Sequence, residues 1–156
     1  FIDGPLLILM IAKFRNKRLR LLATKIFFTG VFWDFLFRHF GAIRVNGSVD
    51  KAIDALKQGD CIGVLPEGTR SPTRKILKVT HSGLGVLALK TKLPVVPVAL
   101  KTFDFWNRHH FFPCFKRNIK VNIGIPMYFK KKLTKPNAKA VVQEVMKQIK
   151  KLHQNA

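Results

Sequence analysis

Apolar residues recur along this chain in blocks whose spacing changes from one stretch to the next. Residues 5–13, "PLLILMIAK", are apolar almost throughout and predict a helix. A dense basic run, "KFRNKRLR" at 13–20, follows. Residues 26–40, "IFFTGVFWDFLFRHF", crowd aromatics around a lone acid, Asp34. Their helical period is blurred, and two readings fit equally: a segment lying in a membrane interface, or a core helix with a solvated basic face. "AIRVN" at 42–46 alternates apolar and polar, as a short strand does. Ser48 or Asp50 then caps a helix through Gln58, with Val49, Ile53 and Leu56 on one face and Gly59-Asp60 ending it.

"CIGVL" at 61–65 has the continuous apolar character of a buried strand. A loop over 66–78 carries two prolines and leads to a helix that starts at Thr80 or Ser82 and runs to about Lys92, with Leu84, Leu87 and Ala88 inward. Beyond Pro94, "VVPVAL" is the next buried strand. Strand, loop, helix and strand in that order predict a parallel βαβ unit. Residues 105–117 form an aromatic and basic loop, and "IKVNIGIPMYF" is a further strand with a turn at Gly124 and Pro126. An amphipathic helix from Asn137 to about His153 turns Val141, Val145, Ile149 and Leu152 inward. The expectation is an α/β fold in one domain over 1–156, a mixed and largely parallel sheet flanked by helices, with no internal repeat.

Charge adds a statement about partners. Lys and Arg number 29 against 8 Asp and Glu, a formal charge of +21. A charge of that size attracts nucleic acid, an anionic membrane surface, a phosphorylated substrate or an acidic carrier protein. Fourteen Phe and two Trp fit a membrane interface or a nucleic-acid platform. Cys61 and Cys114 show no CxxC spacing, which makes a reducing compartment the default and Cys61 a small packed hydrophobe. No signal peptide is visible, and no apolar run reaches the roughly 18 residues of a spanning helix. The chain opens on Phe1 rather than Met, as a piece lacking its natural start would.

One of the few acids stands in "LPEGTRS" at 65–71, straight after the apolar strand. Gly68 lets backbone approach a ligand closely, and Arg70 offers a planar fork suited to phosphate. Thr69 and Ser71 add hydroxyls, and Arg74, Lys75 and Lys78 raise the local potential. Glu67 either accepts from a substrate hydroxyl or holds Arg70 in place. The stretch is a phosphate-binding loop with one acid, or else a surface turn closed by an ion pair. In open α/β sheets ligands gather at the carboxyl ends of strands, where this loop falls.

"VLPEGTRS" followed by "HSGLGVLALKTKLPVVPVAL" resembles the glycerolipid acyltransferases of the lysophosphatidic acid acyltransferase type. Glu67, Gly68, Thr69, Arg70, Gly83, Val95, Pro97 and Val98 match that family's pattern in order and spacing. The likeness is strong over 61–100 and extends more weakly from Phe1 to about Pro126. By resemblance, Glu67, Gly68, Thr69 and Arg70 bind the phosphate and glycerol end of an acceptor. The family's second block usually ends in Arg where Gly47 stands here, so Arg44 is the candidate phosphate ligand in its place. His81 stands where the family has Lys before the helix-opening glycine. It either contacts phosphate or serves in capping and packing.

Catalysis in that family is carried by an HxxxxD block, in which His is the general base on the acceptor hydroxyl and Asp orients it. Five residues after His39, His81, His109 and His110 stand Arg44, Val86, Cys114 and Phe115, and His153 lies near the end, so no complete block is present. Asp3 in "FID" is placed to be the block's Asp, with its His upstream of Phe1; the plainer alternative is a helix cap. On that reading the chain is truncated within the block and lacks its base.

The resemblance implies an O-acyltransferase of phospholipid biosynthesis. It would move a fatty acyl group from acyl-CoA or acyl carrier protein to a hydroxyl of a lysophospholipid-like acceptor, converting lysophosphatidate to phosphatidate. It would need no metal or bound cofactor, because a thioester is already activated. An anionic membrane surface on the cytoplasmic face is the expected location. Two readings compete: a catalytically dead lipid-surface protein of the same fold, and a basic nucleic-acid-binding module. No nucleic-acid-binding motif appears, and no nucleic acid is expected as partner.

Overall fold

A computed structural model of the chain describes residues 3–15, 17–23, 41–44, 49–66, 81–102 and 118–155. They fall into two compact units, Gly4–Leu65 and Pro66–Ala156, with Phe1–Asp3 grouped with the second. The aromatic stretch at 26–40, the loop at 105–117 with Cys114, and the candidate caps Ser48 and Thr80 lie outside the described residues. Among the described residues no helix is long and apolar enough to cross a membrane.

The first unit runs α1 (Asp3–Arg15), β1 (Leu19–Ala23), β2 (Ile43–Arg44), α2 (Asp50–Lys57) and β3 (Cys61–Gly63). Its sheet has the order β2-β1-β3 with both pairings parallel. β1 therefore lies in the middle, and α2 carries the chain from one edge to the other. Leu22 pairs with Ile43 and Ala23 with Arg44 on one side; Leu19 pairs with Cys61 and Leu21 with Gly63 on the other. The backbone N–H of Cys61 donates to the Arg18 carbonyl at 2.8 Å, fixing where β3 begins. Just before it, the Asp60 carboxylate accepts from Nε of Arg20.

The strand β1 is the sheet's chief departure from expectation. It is cut from what read as a basic run, because Arg18 and Arg20 stand beside Leu19, Leu21 and Leu22. In α2 the fully buried positions are Ala52 and Ala55, with Ile53 and Leu56 only half-buried. Small side chains let the helix back lie close, and the larger neighbours flank the contact. Val49 occupies the N-cap without a side-chain hydrogen bond. Gly59, with φ of 87°, ends the helix in a conformation costly for other residues.

The second unit comprises α3 (Gly83–Thr91), β4 (Val98–Lys101), β5 (Lys120–Ile123) and α4 (Lys135–Gln154). β4 and β5 pair antiparallel, Val98 with Ile123 and Lys101 with Lys120. Among the described residues β3 pairs with β1 and β4 with β5, so the two apolar strands expected to be parallel neighbours belong to different sheets. The helix between them buries its apolar side on α4. A Cβ built on Gly85 would stand 2.0 Å from the Ala138 carbonyl oxygen, so the two backbones all but touch. Around this contact Ala88, Leu89, Phe129, Val141 and Val145 form the core, with Val95, Met127 and Ile149 packed against it.

α3 stops at Lys92, which takes the left-handed conformation with φ of 58° and reaches with Nζ to the Lys131 carbonyl at 2.8 Å. Thr134 caps α4 by accepting from the Asn137 backbone N–H at 3.2 Å, and the helix starts two residues earlier than its apolar period indicates. At its far end Nδ2 of Asn122 donates to the Leu152 carbonyl at 2.9 Å, tying β5 to α4.

His153, in the last turn of α4, is held below its ordinary value of 6.5, first by burial and then by the charge of Lys101. The folded chain binds this proton less well than the unfolded chain. Stability is therefore expected to fall as pH drops through 6.5 toward the lowered folded value, and to be unaffected by this group well above 6.5. Chemical denaturation of wild type and His153→Gln at pH values on both sides of 6.5 checks it. The variant should lose that part of the acid-side decline, and identical profiles would remove His153 as its source.

Candidate active site

Parallel strands all release their chains at the same edge, and the first unit's three strands do so at Ala23, Arg44 and Gly63. Backbone amides and carbonyls past that edge have no ladder partner, which is why ligands collect there. β3 leaves the edge at Gly63 and passes through Val64, Leu65 and Pro66 straight into the PEGTR loop. Glu67, Gly68, Thr69 and Arg70 themselves lie outside the described residues.

Side chains of successive strand residues alternate between faces, and partners in a parallel register share one. Leu19, Leu21 and Ala23 therefore share a face with Cys61 and Gly63, and Arg44, opposite Ala23, joins them. The first turn of α1 meets this face at Gly4. Gly4 is buried, and a Cβ there would stand 2.7 Å from Cδ1 of Leu21. The opening turn of α1, whose first residue is Asp3, is thereby set on the sheet near its carboxyl edge. Arg44 is exposed on that same face. The expected catalytic acid begins the helix, and the arginine expected to hold phosphate projects from the edge strand. Free N–H groups at a helix N-terminus and a guanidinium both favour an anion.

His81 is exposed and stands immediately before Ser82, the N-cap of α3 in the second unit. Ser82 makes no side-chain cap hydrogen bond there. Gly83, which matches the family's helix-opening glycine, has nothing within 4 Å of a built Cβ; Gly85 two residues later is the tightly packed one. Gly47 lies outside the described residues.

Three contributors escaped sequence reasoning. Gly4 lets α1 lie down on Leu21, and nothing local marks a glycine as a contact point. β1 supplies the central strand. Arg20 and Asp60 form an ion pair at the amino end of β3, away from the ligand edge, where it joins the two strands. Among the described residues no cluster of three or more His, Cys, Asp or Glu is placed to hold a metal ion.

A family model described as Acyltransferase matches residues 1–101. No curated protein matches the chain. Among solved structures, the 1-acyl-sn-glycerophosphate (LPA) acyltransferase PlsC from Thermotoga maritima is similar, with 25% sequence identity and a TM-score of 0.61. The match covers 85% of this chain and 56% of that one, so the chain spans little more than half the length of its structural relative. The mixed α/β architecture with its parallel sheet resembles the fold of that enzyme.

Proposed function

We propose that this chain, which belongs to the acyltransferase family, transfers a fatty acyl group from a thioester to a hydroxyl of a lysophospholipid-like acceptor. The observation that carries the reading is the family match over 1–101, a span holding Asp3, Arg44 and the whole PEGTR loop. The likeness to the Thermotoga maritima enzyme, an LPA acyltransferase, favours lysophosphatidate as acceptor. Acyl-CoA and acyl carrier protein are both anionic donors that a charge of +21 attracts.

The reaction needs few parts. The acceptor oxygen attacks the thioester carbonyl while a base removes its proton, and the tetrahedral intermediate collapses with departure of the thiolate. In this reading the base is the His of an HxxxxD block, and Asp3 holds it in the productive tautomer. Glu67, Gly68, Thr69 and Arg70 bind the glycerol phosphate end, and Arg44 and His81 are further candidate ligands of the phosphate. Positioning of acceptor against donor supplies much of the rate. The enzyme works at the cytoplasmic face of a membrane, where its acceptor resides.

The test uses the gene product extended upstream of Phe1, assayed for acyl transfer from acyl-CoA to lysophosphatidate. Arg70→Ala should raise the acceptor KM on the order of 10- to 100-fold, the loss expected for charge-assisted hydrogen bonds to phosphate. The donor KM should change little. An unchanged acceptor KM would remove Arg70 from the site, and no transfer to any lysophospholipid would refute the proposal.

A further inference from the structure

The second unit presents an apolar surface that its own core does not use. Val95 and Met127 bridge each other through hydrogen bonds of 2.9 and 2.8 Å and face the core with Phe129. Strand alternation turns their neighbours Val96 and Tyr128 outward, and they are 46% and 66% exposed. Farther along, Ala99 is buried and Asn122 reaches α4, so Val98 and Ile123 face the opposite way. Between Val98–Ile123 and Val95–Met127, two residues on one strand oppose three on the other, a bulge at 124–126. It pushes Ile125 out to 85% exposure, beside Ile123 at 61%.

Lysines adjoin this surface. Lys130, Lys131 and Lys132 follow Tyr128 and Phe129 directly and are all exposed, and the sequence holds no acid between Asp104 and Glu144. The hydrogen bond from Lys92 to the Lys131 carbonyl holds the lysine segment against the turn after α3. Aliphatic side chains and one tyrosine beside a run of three lysines match an anionic lipid surface in both polarity and charge. A second copy of the chain would set lysines against lysines. Nucleic acid would find one aromatic ring to stack on and aliphatic groups elsewhere.

We infer that the surface of Val96, Ile123, Ile125 and Tyr128, with Lys130, Lys131 and Lys132 at its margin, docks this protein on an anionic lipid bilayer. The inference rests on the lipid-acceptor reading above and adds the face by which the enzyme meets its substrate's membrane. Ile125 and Tyr128 enter the headgroup region, and the lysines pair with lipid phosphates.

Sedimentation of the full chain with vesicles tests it without any acyl donor, so failure here is separable from failure of the reaction. One vesicle is phosphatidylcholine alone; the other holds equal parts phosphatidylcholine and phosphatidylglycerol. Binding should favour the anionic vesicles and weaken with salt. The double variant Ile125→Ser, Tyr128→Ser should bind at least about 10-fold more weakly. Changing Lys130, Lys131 and Lys132 together to Gln should weaken binding on the order of 100-fold. Both variants alter exposed side chains and should keep the wild-type thermal midpoint. Wild-type binding by either folded variant would overturn the inference. So would equal binding to the two vesicles, or a double variant that changes only the oligomeric state or the affinity for RNA.

Discussion

Replacing Asp3 by Asn, in the protein carrying its upstream residues, should lower kcat for acyl transfer by roughly three to four powers of ten. The comparable change in a serine protease, where an Asp orients a catalytic His, costs about 10⁴-fold. Asn is isosteric but presents an amide where the carboxylate accepts from the imidazole, so the wrong tautomer faces the acceptor hydroxyl. Because Asp3 acts through the base, the KM values for donor and acceptor should stay close to wild type. Asp3 is the first residue of α1 and Asn is its isostere, so the thermal midpoint should move little. A rate within tenfold of wild type would leave Asp3 as a helix-end residue. A falling midpoint with an unchanged rate per folded molecule would assign it to stability.

Gly85→Ala should be the most damaging single methyl in the second unit. The new Cβ would lie 2.0 Å from the carbonyl oxygen, 2.6 Å from the carbonyl carbon and 2.8 Å from the Cα of Ala138. These are backbone atoms, which no rotamer change can move. Alanine gains roughly 1 kcal/mol in helix propensity over glycine, which offsets only part of the strain. A net loss of about 3 kcal/mol is expected, at the upper end of overpacking costs, and a thermal midpoint lower by roughly 6–12 °C. Gly83→Ala is the control. Nothing lies within 4 Å of its built Cβ, and it should leave the midpoint unchanged or slightly raised. Equal midpoints for the two variants would mean that α3 and α4 do not meet backbone to backbone.

What the sequence revealed of this fold depended on how locally each element is encoded. The helices were legible because apolar side chains at helical spacing and capping residues lie within a few positions of one another, as Thr134 and Asn137 do for α4. β1 was not, because a central strand is identified by its two partners, and Ile43 and Cys61 lie far along the chain. Two arginines among leucines look like a solvated run until Asp60 is found beside Arg20. The pairing of β3 with β1 rather than β4 was hidden for the same reason. The candidate site was readable in a different way. The PEGTR block, Asp3 and Arg44 stood out against a family pattern, whereas the face that Arg44 takes needed the register. Only the pairing of Ala23 with Arg44 places its side chain on the face that Gly4 meets. Gly85 was passed over for Gly83, since closeness to another helix leaves no mark on neighbouring residues.

The central position of β1 also bears on how this chain survives its own synthesis. Leu19–Ala23 leaves the ribosome about 40 residues ahead of Cys61–Gly63, the later of its partners. At roughly 5–20 residues per second, at least one of its edges stays open for about 2–8 s. A leucine-rich strand with a free edge is a template for pairing with other nascent chains. Lys17, Arg18 and Arg20 crowd positive charge onto and beside that template, and two strands so charged repel. Once Asp60 arrives, it neutralises Arg20 in the same step that brings β3 alongside. The charges that disguise the strand act as its gatekeepers, guarding it from other chains until its own partner is made.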